Sequence, residues 1–125
     1  NIISNRGSFP RLRLGNLDAH RDWGHAEDYV RGMWLMLQQG TPEDYVLATG
    51  ETNTVRDFLN VAFGCLNVDR WGGFVTIDPA FYRPSEVDFL LGDASKAQQE
   101  LTWKPKVGFE SLVRRMVLSD IENAL

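Results

Sequence analysis

Apolar residues recur at helical spacing from Ala26 to Gln39, through Tyr29, Val30, Met33, Trp34 and Leu37, and Gly40 stands where a C-terminal cap belongs. That spacing predicts a helix of about four turns. Tyr45 to Thr49 is a β-rich run closed by Gly50. Thr54 and Asp57 have the spacing of a capping box and open a predicted helix through Leu66, with Phe58, Leu59, Ala62 and Phe63 buried. Short strands are expected at Leu12–Leu14, running into a Gly15–Asn16 turn, and from Phe74 to Ile77, ended by Asp78–Pro79. Asp88 to Leu91 reads as extended before a Gly92–Asp93 turn, and Ser95 is placed to cap a short helix to Leu101 that Pro105 keeps from continuing. A last helix, from Phe109 to about Asn123, sets Leu112, Val113, Met116, Val117 and Ile121 on one stripe. The alternation specifies an α/β piece of α+β-like character, helices over a few short strands.

A length of 125 residues is that of one ordinary globular domain. Such a chain buries roughly two thirds of its unfolded surface, enough for a core without covalent staples. Cys65 is the only cysteine, which excludes an intrachain disulfide and a cysteine-based zinc site. No apolar run approaches the ~20 residues of a membrane-spanning helix, so a helical span is excluded. The net charge of −4 speaks against broad binding to nucleic acid. The charge is uneven: Arg6, Arg11 and Arg13 give the first seventeen residues +3 with no acid, leaving −7 on the rest. Residues 1–11 therefore read as a basic arm or linker, with a targeting remnant as the alternative.

The chemistry of the remaining residues is mostly defined by elimination. Gly72–Gly73 neither follows a long strand nor opens a helix, so it is not a dinucleotide-binding loop. No nucleophile elbow and no P-loop occur. His20 and His25 are five apart, the wrong spacing for two ligands on one helical face, so no metal site is expected. None of Tyr29, Tyr45 and Tyr82 has a lysine four residues on. No catalytic residue is assigned. Two arginine clusters remain. In the run from Ala19 to His25, Arg21 stands beside an aromatic at a helix entry, where a guanidinium reaches a phosphate while its stem packs. In the run from Phe81 to Asp88, Pro84 stiffens a turn that holds Arg83 and Glu86 three residues apart. An arginine presents a planar fork to phosphate oxygens, and a carboxylate accepts from ribose hydroxyls or a purine N–H. Together these suit a sugar nucleotide, although Arg21–Asp22 and Arg83–Glu86 read more readily as surface ion pairs.

Several segments shift that balance. The run Leu14-Gly15-Asn16-Leu17-Asp18-Ala19-His20-Arg21-Asp22-Trp23-Gly24-His25-Ala26-Glu27-Asp28-Tyr29-Val30, followed by Met33-Trp34-Leu35-Met36-Leu37-Gln38-Gln39, resembles the C-terminal half of the GDP-mannose 4,6-dehydratases, a family of extended short-chain dehydrogenases. The likeness continues through Pro42 to Glu51, Tyr82 to Asp88, Gly92 to Ala97 and Trp103 to Phe109, and covers about Leu12 to Glu122. It implies the C-terminal substrate-binding lobe of that fold, with residues 12–125 binding GDP-mannose. In the family, a homo-oligomeric NADP-dependent lyase forms GDP-4-keto-6-deoxy-mannose on the way to GDP-fucose, by oxidation at C4, loss of water across C5 and C6, and return of hydride to C6.

By this likeness Arg21 and Arg83 lie against the diphosphate and Glu86 accepts from the ribose or guanine. Trp23 and Trp34 become packing residues, and His25 a helix-entry residue. NADP would be bound mainly by a portion not in this chain, since the family's glycine loop and Tyr-x-x-x-Lys pair have no counterpart here. This chain alone is therefore expected to be inactive and to need the N-terminal lobe or a partner chain, in a homo- or hetero-oligomer. The alternative is a truncated, non-catalytic descendant serving as a structural subunit. The family implies a cytoplasmic location, or an organelle if the arm is a targeting remnant.

Overall fold

The computed structural model describes residues 10–83, 85 and 87–124. They form two compact units, the first from residues 10–19, 54–88 and 113–124, the second from residues 20–53 and 89–112.

In the first unit, strand β1 (Leu12–Leu14) runs parallel to a later strand, Val75–Ile77, in the register Leu12↔Val75, Arg13↔Thr76, Leu14↔Ile77. The pairing is lengthened at its ends by Leu12 N–H to Phe74 O at 2.8 Å and Asp78 N–H to Leu14 O at 2.7 Å. Phe74 itself closes a 3-10 turn (Trp71–Gly73), so the strand begins one residue later than its β propensity suggests. Helix α2 (Val55–Gly64) starts with the predicted capping box: the Thr54 hydroxyl accepts from Asp57 N–H at 3.0 Å and the Asp57 carboxylate accepts from Thr54 N–H at 2.9 Å. It ends at Gly64, short of Leu66, because Asn67 turns left-handed (φ 56) and Val68 N–H closes back on Phe63 O at 3.0 Å. Leu59 and Phe63 are buried with Leu17 and Val75, and Leu14, Val55, Val68 and Trp71 pack against them. Phe58 and Ala62 are only half-buried.

In the second unit, β2 (His20–Asp22) pairs with β3 (Thr52–Thr54), and a single parallel bridge joins His20 to Phe89. Helix α1 (Ala26–Leu37) ends before Gly40, which is not its cap. Gln38 and Gln39 do that work: their backbone N–H groups reach Leu35 O and Met36 O, and their side-chain amides donate to Trp34 O and Leu35 O, so the last carbonyls are satisfied without a glycine. The buried residues of α1 are Asp28 and Gly32. Tyr29, Leu35 and Met36 pack on the core of Ala97, Leu101 and Trp103, whereas Val30, Met33, Trp34 and Leu37 are exposed. Trp34, for which the family likeness implies a packing role, is 59% exposed among the described residues.

Residues 45–49 do not form a strand among the described residues. A strand exists only where a neighbour completes its ladder, and here Tyr45 and Leu47 pack on the Trp103 cluster while Val46 is exposed. Helix α3 (Ser95–Leu101) has Ser95 as its first residue rather than its cap, and the Asp93 carboxylate accepts Ser95 N–H at 2.9 Å. Beyond it, Thr102 adopts φ 54, which turns the chain so that Trp103 N–H bonds Ala97 O and the indole is fully buried.

The strand Val75–Ile77 is β4. Helix α4 (Phe109–Ala124) buries Leu112 and Val113; Val117 and Ile121 are half-buried and Met116 is exposed.

Candidate functional site

Arg21 is the middle residue of β2 and half-buried, and its Nη1 donates to His20 O at 2.7 Å. Alternation along the strand sends its side chain and that of Asp22 to opposite faces. Asp22 is taken up elsewhere. Its Oδ1 accepts from Thr49 N–H (2.9 Å) and Thr49 Oγ1 (2.6 Å), and its Oδ2 from Gly50 N–H (3.0 Å) and Gly92 N–H (3.2 Å). No ion pair links Arg21 and Asp22 among the described residues. Partial burial alone would raise the Asp22 pKa, but the four hydrogen bonds from Thr49, Gly50 and Gly92 outweigh it and hold the carboxyl below its ordinary value.

The donors around Asp22 demand glycine. Gly50 has φ +76, and a Cβ on Gly92 would run into the Ala48 methyl.

Arg83 belongs to the first unit, follows the 3-10 turn Pro79–Phe81, and is exposed. Glu86 and Pro84 lie outside the described residues, so the Arg83–Glu86 arrangement is not described. Trp23 is half-buried; its indole N–H donates to Asn53 O at 2.9 Å and its ring stands 6.3 Å from Phe109. His25 is the helix-entry residue: as N-cap of α1, its Nδ1 accepts Glu27 N–H at 3.1 Å. The His20 ring lies 5.5 Å from Phe89. Among the described residues no three His, Cys, Asp or Glu side chains converge as metal ligands.

Asp28 was not legible as a structural hub. Its side chain is 4% exposed, and its carboxylate accepts Lys106 N–H (2.8 Å), Val107 N–H (3.0 Å) and Arg31 Nη2 (3.0 Å). Its carbonyl accepts the Trp103 indole N–H at 2.8 Å, and Arg31 also donates to Lys104 O. Burial pushes the carboxyl pKa up, while the bonds from Val107, Lys106 and Arg31 pull it further down, leaving it below the ordinary value. These bonds fasten residues 103–107 to α1. They shape a cleft of about 140 Å³ among Trp23, Thr49, Glu51, Asn53, Lys106 and Phe109. That is below the ~300 Å³ at which small-molecule pockets begin, and Arg21 does not line it.

A dinucleotide cofactor does not fit the residues described. Gly72 and Gly73 lie in the 3-10 turn that leads into β4, not between a strand and a helix N-terminus, so they offer no row of N–H groups to a pyrophosphate.

Short strands flanked by helices in this arrangement are those of the extended short-chain dehydrogenases. The fold covers 92% of this chain and 36% of UDP-glucose 4-epimerase from Thermotoga maritima with a TM-score of 0.79 at 23% identity. It covers 90% of this chain and 34% of the dTDP-glucose 4,6-dehydratase DesIV from Streptomyces venezuelae, solved with NAD and TYD bound, with a TM-score of 0.74 at 27% identity. Sequence narrows the class. The GDP-mannose 4,6 dehydratase family profile matches residues 2–116, starting ahead of Leu12. GDP-mannose 4,6 dehydratase 1 of Arabidopsis thaliana is 58% identical over 114 residues (91% of this chain, 31% of the relative), and the Homo sapiens GDP-mannose 4,6 dehydratase is 49% identical over 134 residues (93% and 36%). The chain belongs to the GDP-mannose 4,6-dehydratase family. It spans about a third of the length of these curated relatives.

Proposed function

We propose that this chain is the GDP-mannose-binding portion of a GDP-mannose 4,6-dehydratase. Arg21 and Arg83 meet the diphosphate, and Glu86 accepts from the ribose or guanine. The observation that carries this reading is the family match across residues 2–116, which includes both arginine motifs. The work of these residues is to bind and orient: a guanidinium fork neutralises and aims two phosphate oxygens while the hexose is carried to the reacting groups. NADP supplies oxidation at C4 and the returning hydride in such enzymes. By the family reading it would be bound mainly by a portion not in this chain.

The exposed face of α1 (Val30, Met33, Trp34, Leu37), with the exposed Val46, supports a second apolar surface closing over this one in an oligomer or a two-lobed assembly. A cytoplasmic location follows from the same family reading; no helix is long and apolar enough to cross a membrane among the described residues. The same exposed face also accommodates a non-catalytic subunit, and ligand binding separates the two.

Titration calorimetry with GDP-mannose and with GDP tests the proposal. Binding in the micromolar range is expected, with Arg21→Ala and Arg83→Ala each weakening it about tenfold or more. No heat at millimolar ligand, or unchanged affinity in both variants, refutes the sugar-nucleotide reading and leaves the structural subunit.

A further inference from the structure

We infer that Asp22 is a positioning residue for Arg21: its saturated carboxylate clamps β2 between two distant loops and so fixes where the guanidinium on the opposite face points. The inference rests on the reading that Arg21 meets the diphosphate.

Strand β2 is only three residues long, paired with β3 and tied to Phe89 by one bridge and the Leu90 N–H to His20 O bond of 3.1 Å. So short a ladder restrains orientation weakly. Asp22 adds four donors to it. Two come from Thr49, one from Gly50 and one from Gly92, 27, 28 and 70 residues away in sequence. A carboxylate has about four lone-pair sites, and here every one is used. The carboxylate is therefore not the counter-ion of the neighbouring guanidinium, although the two are adjacent in sequence. Two backbone features look built for this clamp: the left-handed Gly50, and Gly92, where a Cβ would collide with Ala48. Misaiming a charged ligand by even an ångström costs a large share of its effect.

Asp22→Asn keeps the size and replaces acceptors by an NH₂ group that faces N–H donors. The test measures GDP affinity calorimetrically for the 125-residue chain, for Asp22→Asn, for Arg21→Ala and for the double variant, with tryptophan fluorescence reporting that each variant is folded. Asp22→Asn is expected to weaken GDP about tenfold. It should add nothing in the Arg21→Ala background, because the clamp acts through Arg21 alone. Thr49→Val, which removes the 2.6 Å hydroxyl donor to Asp22 together with the hydroxyl's 3.2 Å bonds to Glu51, should weaken GDP about threefold and lose that effect in the same background; it carries the test if Asp22→Asn does not fold. Wild-type affinity in the folded Asp22 and Thr49 variants overturns the inference, as does a loss that persists undiminished without Arg21. If Arg21→Ala itself binds GDP like the parent chain, the diphosphate reading fails, a different result from a clamp that fails while Arg21 matters.

Discussion

At the scale of single residues, Asp28 shows how a charge survives burial. Two backbone N–H groups and a guanidinium surround its carboxylate, and the Val107 N–H among them is buried, so removing the charge leaves donors poorly satisfied. Asp28→Asn should lower the unfolding free energy by about 3 kcal/mol, read as a shift in urea midpoint at pH 7. The pH dependence follows in sign. The folded carboxyl lies below its unfolded value of 3.8, so its contribution is fully present above that value. It is lost as pH falls through the folded pKa. The gap between parent and Asp28→Asn should accordingly narrow when both are unfolded by urea at pH 3 rather than pH 6; a constant gap would sink this assignment. Only the pair with Arg31, three residues on, is local. Asp28 sits in a helix entry where an acid is expected for the dipole, and its true partners lie 78 and 79 residues away. Asp22 was hidden for the same reason, masked further by the arginine beside it.

Elements were read best where their signals are local. The Thr54–Asp57 capping box came directly from spacing, and both reciprocal bonds form. Thr54→Ala should lower stability by about 1 kcal/mol and shorten helix α2, visible as a drop in urea midpoint with little change in the slope. A midpoint at the parent value would mean that the cap contributes nothing. The ends of α1 and α2 were misplaced by a few residues, because glutamine amides and a left-handed asparagine can terminate a helix as glycine does. Residues 45–49 are the clearest failure. Their composition suits a strand, but pairing is a property of two segments, and no second one is present among the described residues. Trp34 and its neighbours at helical spacing were equally deceptive, since periodicity finds an apolar stripe without saying what covers it. The inward face of α1 instead follows Asp28, Gly32, Leu35 and Met36.

On the scale of the whole molecule, the decisive contacts are remote in sequence. Leu12 pairs with Val75, His20 bridges Phe89, and Asp22 reaches Gly92. Long loops have to close before these contacts form, which slows folding. Stopped-flow refolding followed by tryptophan fluorescence should therefore give relaxation times longer than about 1 ms; a microsecond phase carrying the full amplitude would contradict it. The family and the fold were legible because the matching motifs run through both units. The site was legible only as far as its arginines, since what steadies them comes from loops no local motif announces. Each unit is also assembled from separate stretches of chain: residues 20–53 of one fall between residues 10–19 and 54–88 of the other. In genetic terms, neither can be cut out as one uninterrupted reading-frame segment. An exon lost or a chain nicked and separated near residue 54 leaves both units with missing pieces, so the two are inherited together.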